Sequence, residues 1–151
     1  MHALKLLKKD HSAVESLFGK FERTDRGSHE KRYEIFAQIR RELQLHMKVE
    51  EEIFYPALKA FNGEGRNLVS EALKEHKDIG QLLTQISPLK PSDRNYDDRV
   101  EALIENVDHH VNEEEGQIFR FIEENCSQEQ LEDLGRQIEE RKKALDQQMA
   151  A

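Results

Sequence analysis

The sequence predicts an all-α protein, four amphipathic helices packed as a bundle with an additional C-terminal helix. Three observations predict it. Helix-favouring residues (Glu, Lys, Leu, Gln, Arg, Ala) dominate a 151-residue chain with no Trp, 3 Pro and 7 Gly. Apolar residues are 36% of the chain and charged residues another 36%, lean for a globular core but enough for helices that turn one narrow stripe inward. Finally, four segments repeat inward-type residues at alternating spacings of three and four. The length suits one domain.

The first stripe is Leu4, Leu7, His11, Val14, Phe18 and Phe21. The segment Thr24–Ser28, with Gly27, separates it from the second: Ile39, Leu43, His46, Glu50, Ile53 and Ala57. Pro56 lies inside this second helix, where its missing N–H predicts a kink just past Glu50. Asn62-Gly63-Glu64-Gly65 offers residues that tolerate the left-handed conformation and should end the helix. The third stripe is Val69, Ala72, His76, Ile79, Leu83 and Ile86, closed by Pro88 to Pro91. Asn95 is the expected N-cap of the fourth, which carries Leu103, Val107, His110, Glu114, Gln117 and Phe121. Ser127-x-x-Gln130 has the form of a capping box opening a fifth helix over about 128–147, with Leu131, Leu134, Ile138 and Leu145 as a thin apolar face. That helix is expected on the outside of the bundle.

Each stripe is interrupted at one level by a polar residue: a lone His on the first and third, a His with a Glu one turn later on the second and fourth. His11 and His76 are 65 residues apart, and His46 and His110 are 64 apart, which reads as a pseudo-twofold pair of helical hairpins. One His-x3-Glu phrase is ordinarily a surface ion pair. A lone His on an apolar stripe is ordinarily a hydrogen-bonded core residue. Together, four imidazoles and two carboxylates at one level of a small core would cost several kcal/mol each if left unpaired. Cations resolve that cost. The nitrogen and oxygen donor set suits iron, and also zinc or manganese, and two carboxylates able to bridge point to two metals. The candidate metal ligands are therefore His11, His46, Glu50, His76, His110 and Glu114.

Several neighbours bear on the assignment. His109 competes with His110, but the stripe register favours His110 and leaves His109 at the boundary. Glu51, Glu52, Glu113 and Glu115 read as a solvated acidic face, Tyr55 as packing near the bundle end, and His2 and His29 as exposed residues near helix starts.

The phrases Leu6-Leu7-Lys8-Lys9-Asp10-His11, His46-Met47-Lys48-Val49-Glu50-Glu51-Glu52-Ile53-Phe54-Tyr55-Pro56, Glu71-Ala72-Leu73-Lys74-Glu75-His76 and His109-His110-Val111-Asn112-Glu113-Glu114-Glu115-Gly116 together resemble the hemerythrin-like, or HHE cation-binding, family. The resemblance covers about residues 1–125 and leaves 126–151 as a C-terminal helix packed on the bundle. It implies an up-down-up-down four-helix bundle around two non-haem irons joined by an oxo or hydroxo group. Glu50 and Glu114 match the bridging carboxylates, and His11, His46, His76 and His110 the terminal ligands. Oxygen-carrying hemerythrins use a fifth His one turn before the third-helix ligand. Here that position is Ala72. Roughly ten of about twelve octahedral positions would then be filled, leaving one open on each metal. Two open positions favour reaction with peroxide, O2 or NO over reversible carriage.

The expected function is a di-iron protein that binds, reacts with or senses O2, peroxide or NO. The alternatives are an iron- or oxygen-sensing regulatory module, an iron-storage protein without turnover, and a metal-free interaction domain. Whether it is an enzyme stays open at this point, as does its oligomeric state. A net charge of −8 argues against a nucleic-acid partner. No apolar run is long enough for a membrane span, and residues 1–21 lack the pattern of a signal peptide. The single cysteine, Cys126, fits a cytoplasmic protein.

Overall fold

The computed structural model describes residues 1–61 and 63–150. The described residues contain seven α-helical segments and two π-helical turns and no strand. Helix α1 (Ala3–Glu22) and helix α2 (His29–Val49) form the first hairpin. A π-helical turn (Glu50–Phe54) carries α2 without a break into α3 (Tyr55–Lys59). Helix α4 (Gly63–Ile86) and helix α5 (Tyr96–Glu113) form the second hairpin, and a second π-helical turn (Glu114–Ile118) joins α5 to α6 (Phe119–Asn125). Helix α7 (Gln128–Ala150) follows. Short connections force consecutive long helices to run antiparallel, giving an up-down-up-down four-helix bundle with an additional C-terminal helix. Among the described residues, no helix is long and apolar enough to cross a membrane.

Local chemistry explains the ends. His2 caps α1, its Nδ1 accepting from the Leu4 N–H at 3.2 Å. Asn95 occupies the N-cap of α5 without a side-chain bond. The capping box of α7 is complete: the Gln130 N–H donates to Ser127 Oγ at 3.1 Å, and the Ser127 N–H to Gln130 Oε1 at 2.8 Å. Of the expected terminator after α3, Asn62 lies outside the described residues. Gly63 and Gly65 instead fall in the first turn of α4, and neither has positive φ. Gly65 serves a close approach: a Cβ there would stand 2.3 Å from the Leu58 carbonyl oxygen and 3.3 Å from the Phe121 ring.

The core is split by a polar layer. One apolar cluster holds Val14, Phe18, Phe21, Phe36, Ile39, Leu83, Tyr96 and Leu103 at the α1–α2 loop end. The other holds Leu4, Leu7, Val49, Phe54, Leu58, Val69, Phe119 and Ile122, and Leu131, Leu134, Ile138 and Leu145 of α7 join it. Helix α7 crosses the start of α1 so closely that a Cβ on Gly135 would meet the Met1 carbonyl oxygen at 2.2 Å.

Candidate metal centre

The layer between the two clusters contains all six residues expected there. His11, His46, His76 and His110 are 3–5% exposed, and Glu50 and Glu114 are fully buried. Helices α1 and α4 each supply one imidazole. Helices α2 and α5 each supply an imidazole near the C-terminal end, and the glutamate one turn on is the first residue of the π-helical turn that follows. The donors form two overlapping sets, His11, His46, Glu50 and Glu114 on one side and Glu50, His76, His110 and Glu114 on the other. Within each set the donor atoms lie within 4.8 Å of one another, and both glutamates belong to both.

The inner contacts are between Nε2 atoms and carboxylates. His11 Nε2 is 3.1 Å from Glu114 Oε1, His46 Nε2 is 3.1 Å from Glu50 Oε1, and His76 Nε2 is 3.2 Å from Glu50 Oε1. His110 Nε2 lies 3.4 Å from Glu114 Oε2 and 3.2 Å from His76 Nε2. The Tyr55 hydroxyl enters the same space. It donates to Glu114 Oε2 at 2.6 Å and lies 3.3 Å from Glu50 Oε1 and 3.2 Å from His76 Nε2.

Every Nδ1 faces outward onto a different carboxylate. His11 Nδ1 meets Glu115 at 2.6 Å, His46 meets Asp10 at 3.0 Å, His76 meets Glu51 at 3.0 Å, and His110 meets Glu75 at 2.7 Å. Each acid sits beside an inner residue of its own helix and reaches the imidazole of the next, closing a ring from α1 to α2, α4, α5 and back. A carboxylate on Nδ1 holds the proton there and leaves Nε2 as a free donor aimed inward.

The charge state follows from this crowding. Burial opposes charging His46, but Glu50, Asp10 and Glu114 outweigh it and push its pKa up to about 10. Burial likewise opposes charging His110, and Glu114, Glu50 and Glu75 push it up to about 12. His76 is raised against burial by Glu50 and Glu51. Burial alone would raise Glu50, yet His46, Glu114 and His110 hold it well below the usual carboxylate range. Burial, Glu50 and Glu114 push Tyr55 well above its ordinary value, so its hydroxyl keeps the proton.

The donor set fits a pair of metal ions. Buried His46 Nε2 and Glu50 Oε2 have no hydrogen-bond partner. His46 Nε2 and Glu50 Oε1 are close, but too poorly aligned to bond. An orphaned imidazole nitrogen beside an orphaned carboxylate oxygen is what a cation satisfies and a proton leaves unmet.

The structure alters four expectations. Glu51 and Glu115 do not only face solvent; their carboxylates bind His76 and His11. Tyr55 is not end packing but reaches the centre of the site, 1% exposed. Pro56 produces no simple kink. It sits in the first turn of α3, where its missing N–H is tolerated, directly after a π-helical turn in which the Tyr55 N–H bonds back to the Glu50 carbonyl. The second π-helical turn is alike, with the Phe119 N–H bonding to the Glu114 carbonyl, and it contains no proline. Beyond each such turn the inward face moves by one residue. Phe54 and Leu58 are buried where Ile53 and Ala57 were expected, and Ile118 where Gln117 was. His109 is 67% exposed and pairs with Glu113 at 3.2 Å and Glu75 at 3.5 Å, outside the layer. The outer acids Asp10, Glu51, Glu75 and Glu115 were missed. Their one sequence signal is an acid adjacent to an inner residue: Asp10-His11, Glu75-His76, Glu50-Glu51 and Glu114-Glu115.

Comparison with known proteins agrees with this geometry. The chain is 32% identical over 149 residues to a DNA nickase of Nostoc sp. (strain PCC 7120) and 27% identical over 103 residues to an uncharacterized hemerythrin-like protein of Schizosaccharomyces pombe. The matches take in 99% and 68% of this chain but only 41% and 51% of those two proteins, so the chain spans about half their length or less. The crystal structure of a hemerythrin HHE cation binding domain-containing protein from Mycobacterium kansasii superposes with a TM-score of 0.84 at 26% identity, over 95% of this chain and 86% of that one. Residues 2–122 match the hemerythrin HHE cation binding domain itself, and the chain belongs to that family.

Proposed function

We propose that this chain is a non-haem di-iron protein that binds and reacts with, or senses, O2, peroxide or NO. The observation that supports it is the pair of four-donor sets sharing Glu50 and Glu114. His11 and His46 would hold one ion, His76 and His110 the other, and the two glutamates both. Bound there, an iron pair supplies one-electron redox chemistry at each metal.

The protein's own residues restrict what can react. The donors are at most 5% exposed, so the layer excludes bulk water and admits only ligands of a few atoms. The outer carboxylates hold the four imidazoles with Nε2 inward. Tyr55, protonated and within hydrogen-bond reach of both glutamates, can donate a hydrogen bond to an anionic ligand on the His76 and His110 side. Ala72, 1% exposed one turn before His76, adds no donor where oxygen carriers place a fifth His. That favours reactivity over protected carriage. The DNA chemistry named for the Nostoc relative finds little support in a domain of net charge −8.

Metal analysis of protein expressed with added iron, with optical spectra under air, peroxide and NO, tests the reading. About two irons per chain and ligand-dependent charge-transfer bands are expected, both lost in His76→Ala and Glu114→Ala. A stable, fully reversible O2 adduct would move the assignment to carriage, and folded chain without bound iron after expression with added iron would end it.

A further inference from the structure

Helix α7 reaches the centre electrostatically as well as by packing. The Lys142 ammonium donates to Asp10 Oδ1, and the other oxygen, Oδ2, accepts from His46 Nδ1 at 3.0 Å. The pair is sheltered, Asp10 being 11% and Lys142 34% exposed at the side chain. The other three outer carboxylates differ. Among the described residues no lysine or arginine pairs with Glu51, Glu75 or Glu115; Glu75 meets the imidazoles of His109 and His110 and the carboxyl of Glu113. The ring of acids is fourfold in geometry but carries one fixed cation, on the His46 side.

A bare carboxylate on Nδ1 pushes electron density into the ring and strengthens Nε2 as a metal donor. An ammonium on that carboxylate withdraws part of the effect, and it adds positive charge two hydrogen bonds from the donor atom in a poorly screened interior. We propose that Lys142 is a positioning residue that makes the two halves of the centre unequal, so that an ion held by His11 and His46 is bound more weakly than one held by His76 and His110. The additional helix thereby sets the order in which the two positions fill. This rests on the six-residue metal reading above.

Co(II) titration of the metal-free full chain tests it without any activity assay. The absorbance of the bound ion reports donor strength at each step. Wild type should take up two ions in distinguishable steps, about two per chain. Lys142→Gln should tighten the weaker step by about tenfold and shift its bands, and Lys142→Arg should restore wild-type behaviour. In an Asp10→Asn background Lys142→Gln should change nothing further, because the route runs through Asp10. Two-ion uptake with Lys142→Gln indistinguishable from wild type overturns this inference alone. So does an equal Lys142→Gln effect with Asp10 present or replaced, which would mean α7 packing is the cause. Wild-type protein that binds no Co(II), or binds it unchanged after Glu50→Ala, overturns the metal reading and this inference together.

Discussion

Glu50 and Glu114 are the two side chains that both donor sets use, and His46, His76 and Tyr55 all lie within about hydrogen-bond range of Glu50. In the metal-free protein, Glu50→Ala strands protonated imidazoles in the core and should cost about 3–5 kcal/mol in chemical denaturation. It should also reduce iron uptake to one ion per chain or none, as read by metal analysis. Tyr55→Phe removes a hydroxyl that satisfies Glu114 and should cost the metal-free protein about 1–3 kcal/mol while leaving metal uptake intact. Protons and metal compete for the same nitrogens, so pH acts oppositely on the two forms. His46 and His110 are raised in the folded metal-free state, so their stabilisation is complete below about 6.5, the unfolded value, and is lost as pH rises toward about 10 for His46. The thermal midpoint of metal-free protein should therefore fall from pH 6.5 to 10. The gain from added metal should grow over the same interval, because binding displaces those protons. Equal pH slopes with and without metal would contradict this. The six inner residues were legible because each interrupts an apolar stripe, a costly thing to do without purpose. The outer acids were not, because an acid beside an inner residue looks the same in sequence whether it faces water or reaches an imidazole on the next helix.

At the level of elements, the two π-helical turns separate what periodicity could find from what it could not. Regular spacing read the four stripes correctly up to Glu50 and Glu114 and then slipped by one residue at Ile53, Ala57 and Gln117, though not at Phe121, which is buried as expected, since a π turn takes in one residue more than an α turn. The slip is what brings Tyr55 inward. Because only one of the two turns is followed by proline, the geometry belongs to the buried polar layer rather than to Pro56. Gly116 tests whether the second turn depends on backbone freedom. A Cβ there meets nothing within 4 Å, so Gly116→Ala should be neutral or stabilising by about 0.4–1 kcal/mol, with unchanged metal content. Gly65→Ala is the opposite case: the clash with the Leu58 carbonyl requires backbone movement and should cost about 1–3 kcal/mol by thermal melting. That demand comes from the packing of α3 and α6 against α4, which no local pattern around Gly65 announces.

For the whole molecule, α7 is a structural part of one half of the core. Its Leu131, Leu134, Ile138 and Leu145 belong to the same apolar cluster as Leu4, Leu7 and Val49. Ile138→Ala should cost about 2–5 kcal/mol in urea denaturation, well above what an appended surface helix would give. The bundle, the fifth helix and its capping box were all legible, since each follows from local spacing. How closely α7 lies on α1 was not, because Gly135 has meaning only once Met1 is beside it. The polar layer has a further consequence, for cooperativity. Two apolar clusters separated by a sheet of charge are joined mainly through helix backbones and through whatever bonds the layer makes. With protons alone in that layer, the two ends can open on different timescales, and amide exchange should resolve them as separate unfolding units. A pair of ions bound to α1, α2, α4 and α5 at once would fuse them into one, so metal occupancy would be read at both ends of the bundle as a single folding transition.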